Sequence, residues 1–216
     1  QRRAIARALE ETQRNTIPQD RLIDLIASEN DSEIARNLGR SLQRHYPNLV
    51  EEQGETLFQN AESGPERVAY ARMLSRHGGE RAVGTIADQL AREPDRQAAA
   101  EMANMLGRSN EGIRRAGNII SETPVHQGEN RHSIMWGLHS GSSSENPAAR
   151  NLFLQIAGSD PSPHMRSQAA EILAHRNDIG VLPQLEELVS RERDEGARAR
   201  MQLSIQRLHR EAARQN

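Results

Sequence analysis

Apolar residues in this chain recur three and four positions apart, the period of a helix that buries one face. Between polar, glycine and proline stops the pattern predicts helices at 2–13, 19–28, 32–45, 49–61, 65–77, 80–92, 95–107, 110–122, 130–140, 147–157, 163–175, 179–191 and 195–213. Proline follows a capping-type residue at Gly64-Pro65, Asn146-Pro147 and Ser162-Pro163. Asp31 or Ser32, Asp95, Asn130 and Asp194 are placed to cap further helices. The expected fold class is all-α, with about thirteen helices joined by short turns.

The helices repeat. Every second one carries a small or apolar residue three positions before a leucine: Ala6–Leu9, Ala35–Leu38, Ala71–Leu74, Ala103–Leu106, Met135–Leu138, Ala170–Leu173 and Ile205–Leu208. Residues three apart share a face, so each pair marks a buried stripe, and a small partner lets the next helix come close. The intervening helices keep a stripe of their own. Val83, Ile86 and Leu90 match Leu182, Leu185 and Val189 at an offset of 99 residues, the same offset that separates Leu74 from Leu173. Helical pairs with one apolar face each must stack to hide it, which predicts one continuous core along 1–216 with no internal domain boundary.

Three stretches carry a family resemblance. His175–Val189 (HRNDIGVLPQLEELV) resembles the second half of a phycobilisome-lyase-type HEAT-like repeat, and Met165–Leu173 (MRSQAAEIL) resembles the first half. Gly79–Leu90 (GERAVGTIADQL) repeats the theme more loosely. The resemblance is clearest over 65–192, fades into degenerate repeats over 1–62, and leaves 193–216 as a C-terminal capping helix. It departs from the pattern at 123–146, where the loops lengthen and the first-helix anchor is Met135. What it implies is a right-handed α-solenoid of about six HEAT-like hairpins. It leaves function open, because such repeats occur in scaffolds, in chromophore lyase subunits and in DNA-repair glycosylases.

Composition narrows the choice. Aromatic residues make up 2% of the chain: Tyr46, Phe58, Tyr70, Trp136 and Phe153. All 28 basic residues are arginine, a uniform bias of composition, and they are balanced by 30 acidic residues. That balance argues against a dedicated nucleic-acid or anionic-membrane binder. With no cysteine, disulfides and thiolate metal sites are excluded. No apolar run approaches the roughly 20 residues that would cross a bilayer. The chain opens at Gln1, so it is expected to be soluble and either cytoplasmic or exported after removal of a signal peptide, unless it is simply a trimmed segment.

Trp136 is the leading candidate contact residue. Aligned on the anchor leucines it falls opposite Arg72, Asn104, Glu171 and Gln206, all polar, so it is expected either to face a partner or to lie under the Ser140–Glu145 loop. His132 and His139, four before and three after it, share its face. The two histidines cannot chelate one zinc from a single helix, since seven residues rise roughly 10.5 Å while each nitrogen must lie roughly 2 Å from the metal. His126 lies in the preceding loop. The basic C-terminal region (Arg191, Arg193, Arg198, Arg200, Arg207, Arg210, Arg214) is diluted by Glu192, Asp194, Glu195 and Glu211. Phosphate binding would need a basic stripe repeated on one face, and the adjacent Arg114 and Arg115 have no basic counterparts in other repeats. Phosphate-loop, metalloprotease and nucleophile-elbow motifs are absent, so no catalytic, cofactor or metal residue is assigned.

These readings lead to a non-enzymatic interaction scaffold or adaptor whose partner is another protein or peptide, contacted through Trp136, His132 and His139. A DNA-binding module like the HEAT-like glycosylases is the first alternative; it asks for a basic concave face and salt-dependent duplex binding. A bilin lyase-like or chaperone subunit is the second, and five aromatics would have to line its apolar groove. Oligomeric state is not encoded in any pattern found.

Overall fold

The helical period is realised throughout the computed structural model, which describes residues 17–76 and 79–215. In chain order the helices are α1 (Gln19–Ala27), α2 (Ser32–His45), α3 (Pro47–Asn60), α4 (Gly64–Leu74), α5 (Gly79–Leu90), α6 (Arg96–Leu106), α7 (Asn110–Glu122), α8 (Gly128–Gly141), α9 (Pro147–Ser159), α10 (Pro163–His175), α11 (Leu182–Arg191) and α12 (Glu195–Gln215). Single 3-10 turns at Val125–Gln127 and Ile179–Val181 lead into α8 and α11. Among the described residues there is no strand. No helix among them is long and apolar enough to cross a membrane. The expected helix at 2–13 and its Ala6–Leu9 pair lie outside the described residues.

Side-chain caps set most of the starts. Asp31 accepts from the N–H groups of Glu33 and Ile34, and Asp95 from those of Gln97 and Ala98. Asn146, Ser162 and Asp194 do the same for α9, α10 and α12. Two starts differ from expectation. Ser63, not Gly64, caps α4 through the Glu66 N–H, so Gly64-Pro65 forms the first turn itself. Asn130 lies inside α8, which begins two residues earlier because the 3-10 turn delivers the chain already helical at Gly128.

Packing follows sequence order. Most helices meet a neighbour in sequence, and the even-numbered helices pack in series, α2 on α4, α4 on α6, α6 on α8, α8 on α10 and α10 on α12. The odd-numbered helices from α5 to α11 form a second series, α5 on α7, α7 on α9 and α9 on α11. The anchor leucines of the even series, Leu38, Leu74, Leu106, Leu138, Leu173 and Leu208, are all buried. So are the residues three before them, Ala35, Ala71, Ala103, Met135 and Ala170, while Ile205 is half-buried. In the odd series Ile86, Leu90, Leu185 and Val189 are buried, and Val83 and Leu182 half-buried. One apolar cluster runs from Leu22 to Leu208.

The even helices touch closely where a side chain is missing. A Cβ on Gly39 would lie 2.3 Å from the Ala69 carbonyl oxygen, and one on Gly137 would lie 2.2 Å from that of Ala100. Any larger residue there would push α2 from α4 or α6 from α8.

A polar ladder repeats with the same register. Arg67 Nε and Nη2 bond Glu93 at 2.6 and 2.8 Å, and Arg166 Nε and Nη2 bond Glu192 at 2.6 and 2.7 Å. Arg67 Nη1 also donates to the carbonyls of Ala61 and Glu62, and Arg166 Nη1 to those of Asp160 and Pro161. Every member of the first set stands 99 positions before its counterpart in the second. Arg131 occupies the same register in α8, seven residues before its anchor leucine. It is 1% exposed, donates from Nε to the Ile120 carbonyl at 2.9 Å and from Nη1 to Asp160 at 3.1 Å, and makes a second, shorter bond from Nη2. These arginines tie the start of one even helix to the loop that opens the next unit. The Arg166 hydrogen bonds hold the Glu192 carboxyl down at about 2.

Candidate functional site

Two side-chain clusters on the even helices stand out. The first is built around Trp136 on α8. Its ring is half-buried and packs against the core, and its Nε1–H donates to Gln168 Oε1 on α10 at 3.0 Å. His132 and His139, the two residues expected on its face, do flank it, with ring centroids 6.1 and 5.4 Å from the indole. α10 adds two more imidazoles. His175 meets the indole edge-on at 6.0 Å, and His164 stacks on His132 at 5.6 Å. Gln168 Oε1 also lies 3.3 Å from His132 Nε2. One amide oxygen therefore orients both the indole and an imidazole.

The surroundings disfavour the charged form of two of these imidazoles, His139 and His164. His139 packs edge-on to Phe153, and burial, with Arg176 and His175 close by, pushes its pKa below the usual histidine value. Burial, then His132 and Arg200, do the same to His164, against an opposing pull from Glu171. Arg207 Nη1 lies 3.1 Å from His175 Nδ1 and 3.4 Å from its Nε2. The imidazoles face the indole and one another, and among the described residues no group of three or more histidine or carboxylate side chains converges as a metal would require. His126 stands apart, exposed in its turn. Instead of lying loose, Ser142 and Ser143 are held by Arg176, whose Nη1 donates to Ser142 Oγ at 2.9 Å and whose Nη2 donates to the Ser143 carbonyl.

His164, Gln168 and His175 were not singled out from the sequence. The signal was nevertheless there. In the register of the anchor leucines Gln168 falls three positions before Trp136 and His175 four after, one turn to either side on the neighbouring helix.

The second cluster is basic and lies on α2, α4 and α6. Arg36 and Arg72 sit two residues before their anchor leucines, the register of Trp136, and Arg40, Arg76 and Arg108 sit two residues after theirs. Arg36 Nη1 donates to both carboxylate oxygens of Glu101, at 2.6 and 2.9 Å. Since α2 and α6 each pack on α4, this pair spans the helix that carries Arg72. Arg72 is 8% exposed, and its Nε and Nη1 meet no acceptor. Burial, followed by the charges of Arg108, Arg40, Arg76 and Arg36, pushes its pKa down to about 10. Arg108 is lowered by burial and then by Arg40, Arg76 and Arg36, against an opposing pull from Glu101. The basic stripe asked for by the sequence reading thus exists, but at a register different from that of Arg114 and Arg115, which both bond Glu111 on their own helix.

Compared with known families, with characterised proteins and with solved structures, the chain finds no match.

Proposed function

We propose that this chain is a non-enzymatic binding module, a HEAT-like solenoid that presents the even-helix face bearing Trp136, His132 and His139 to another protein or peptide. The observation that carries the reading is the Arg36–Glu101 pair. Two helix spacings of roughly 8–10 Å each separate α2 from α6 in a flat row. That two side chains meet across α4 supports a row bent toward them, with their shared face as the inner one of the proposed solenoid. Trp136 occupies the same register as Arg36 three units further along. A half-buried indole in a groove offers area that is cheap in entropy to cover, and the imidazoles around it hold it in one orientation. The internal bond to Gln168 means that a partner would be met by the face of the ring.

Affinity capture with the wild-type chain, identification of the captured protein and titration of that partner against Trp136→Ala test the reading. The expected result is a loss of about tenfold or more in affinity, the range of a central aromatic anchor. Equal affinity in a folded Trp136→Ala protein would overturn the assignment of this face.

A further inference from the structure

The basic cluster of α2, α4 and α6 has no role in the ladder that holds the units together, and one member of it, Arg72, lacks what a structural arginine has. Arg67, Arg131 and Arg166 each close on a carboxylate and a backbone carbonyl. Arg72 is buried nearly as deeply, with two guanidinium nitrogens unpaired and other guanidinium groups around it. Buried polar groups are almost always hydrogen-bonded, and a buried charge without a counter-ion is among the costliest arrangements a fold contains. An anion brought in from outside would supply both the hydrogen-bond acceptors and the opposite charge.

We infer that the cluster of Arg72, Arg76 and Arg108, beside the Arg36–Glu101 pair, binds the carboxylates of an acidic segment in a partner protein. The choice of a polypeptide rests on the binding-module reading above. The choice of a carboxylate rests on three observations. A carboxylate, that of Glu101, is already bound in this setting by Arg36. The planar guanidinium fork matches a carboxylate in geometry. The stripe also stops after three units, giving way at the Trp136 register to an indole, imidazoles and Glu171, whereas a duplex backbone would need it to continue. Two helix spacings of roughly 8–10 Å set an upper bound of roughly 20 Å on the span of the three helices, at most about six extended residues. A short acidic stretch fits that span, with its chain running on toward Trp136.

The test uses the full chain and a fluorescein-labelled peptide of about eight glutamates, read by anisotropy and by the melting temperature with and without peptide. The peptide is expected to bind and to raise the melting temperature, while the same peptide with glutamine at every position does neither. Arg72→Met is expected to weaken binding by about tenfold or more while melting no lower than wild type, because it removes an uncompensated charge. Arg108→Gln, at the exposed edge of the cluster, should also weaken binding and provides a second variant with intact packing. Arg193→Gln, an exposed arginine far along the chain, should have no effect. Equal losses from Arg193→Gln and Arg72→Met would mean diffuse attraction and would overturn the site. A lower melting temperature for Arg72→Met with unchanged binding would mark a structural arginine and would also overturn it. Inorganic phosphate or a short DNA duplex binding through Arg72 where the glutamate peptide does not would overturn the carboxylate assignment. If Arg72→Met binds normally while the captured partner still requires Trp136, this inference fails and the module reading stands; if the peptide requires Arg72 while no partner requires Trp136, the reverse holds.

Discussion

Arg72 and Arg131 are the same residue type on the same series of helices, 8% and 1% exposed, yet their surroundings are opposite. Arg131 has a carboxylate, a carbonyl and a place in a repeated ladder. Arg72 has like charges and unpaired nitrogens. A buried guanidinium adds order only when its hydrogen bonds and its charge are both answered from within the chain. The pairing therefore separates the arginines that hold this molecule together from the ones available to hold something else, a distinction that exposure alone does not make.

The comparison can be broken most sharply at Arg131. Arg131→Met strands the Asp160 carboxylate and is expected to cost about 3–5 kcal/mol. At about 2–4 °C per kcal/mol for a chain of this size, the melting temperature should fall by roughly 10 °C. Adding Asp160→Asn, which removes the stranded charge, should recover part of that loss in a calorimetric scan. A melting temperature for Arg131→Met equal to wild type would remove the contrast with Arg72.

Titration supplies the next test. His139 and His164 are lowered in the fold, so as pH falls through 6.5 the unfolded chain takes up protons first, and stability declines from there until the folded groups are protonated as well. His132, His175, Arg176 and Arg200 oppose added charge at this cluster, and Glu171, 3.6 Å from His175, favours it. The melting temperature should drop by a few degrees between pH 7 and pH 5, and a His139→Asn, His164→Asn double variant should flatten that decline. Glu192 acts in a separate window. Its carboxyl, held down at about 2, contributes stability that is present above pH 4.5 and is lost as pH falls toward 2.

The smallest effects are expected at Arg72 and Arg114. Arg72→Met should leave the melting temperature unchanged or slightly raised, opposite in sign to Arg131→Met although the side chain removed is the same. Arg114→Ala breaks an exposed pair with Glu111 and should shift nothing measurable. A clear loss at Arg114 would mean that surface pairs carry more of the fold than the ladder does.

Much of this was legible beforehand, for identifiable reasons. The anchor leucines were readable because a helix that packs on both sides must repeat its apolar register, and each described one, from Leu38 to Leu208, is buried. Most caps were readable because a side-chain acceptor has to stand at a helix start, as Asp95 and Ser162 do. Asn130 misled because its capping chemistry was present where the preceding turn made a cap unnecessary. Trp136 was identifiable as the one large apolar residue at a polar register, and the two histidines on its own helix came with it. Its partners from α10 were less visible, since pairing across helices depends on how far each unit slides and turns relative to the last. The arginine stripe was missed because the register of Arg72 was read only as a polar background for Trp136, and the register two after the anchor leucines was not read.

Local interactions set the helices, their capped ends and the apolar stripe of each, because period, capping and propensity act within a few residues and are written directly in the sequence. Which arginine finds a carboxylate was decided only by tertiary structure. Arg131 and Asp160 lie 29 residues apart, and Arg36 and Glu101 lie 65 apart across an intervening helix. Charge compensation depends on distances that exist only once the helices have packed, so the same residue type becomes a structural tie at Arg131 and stays without an internal counter-ion at Arg72.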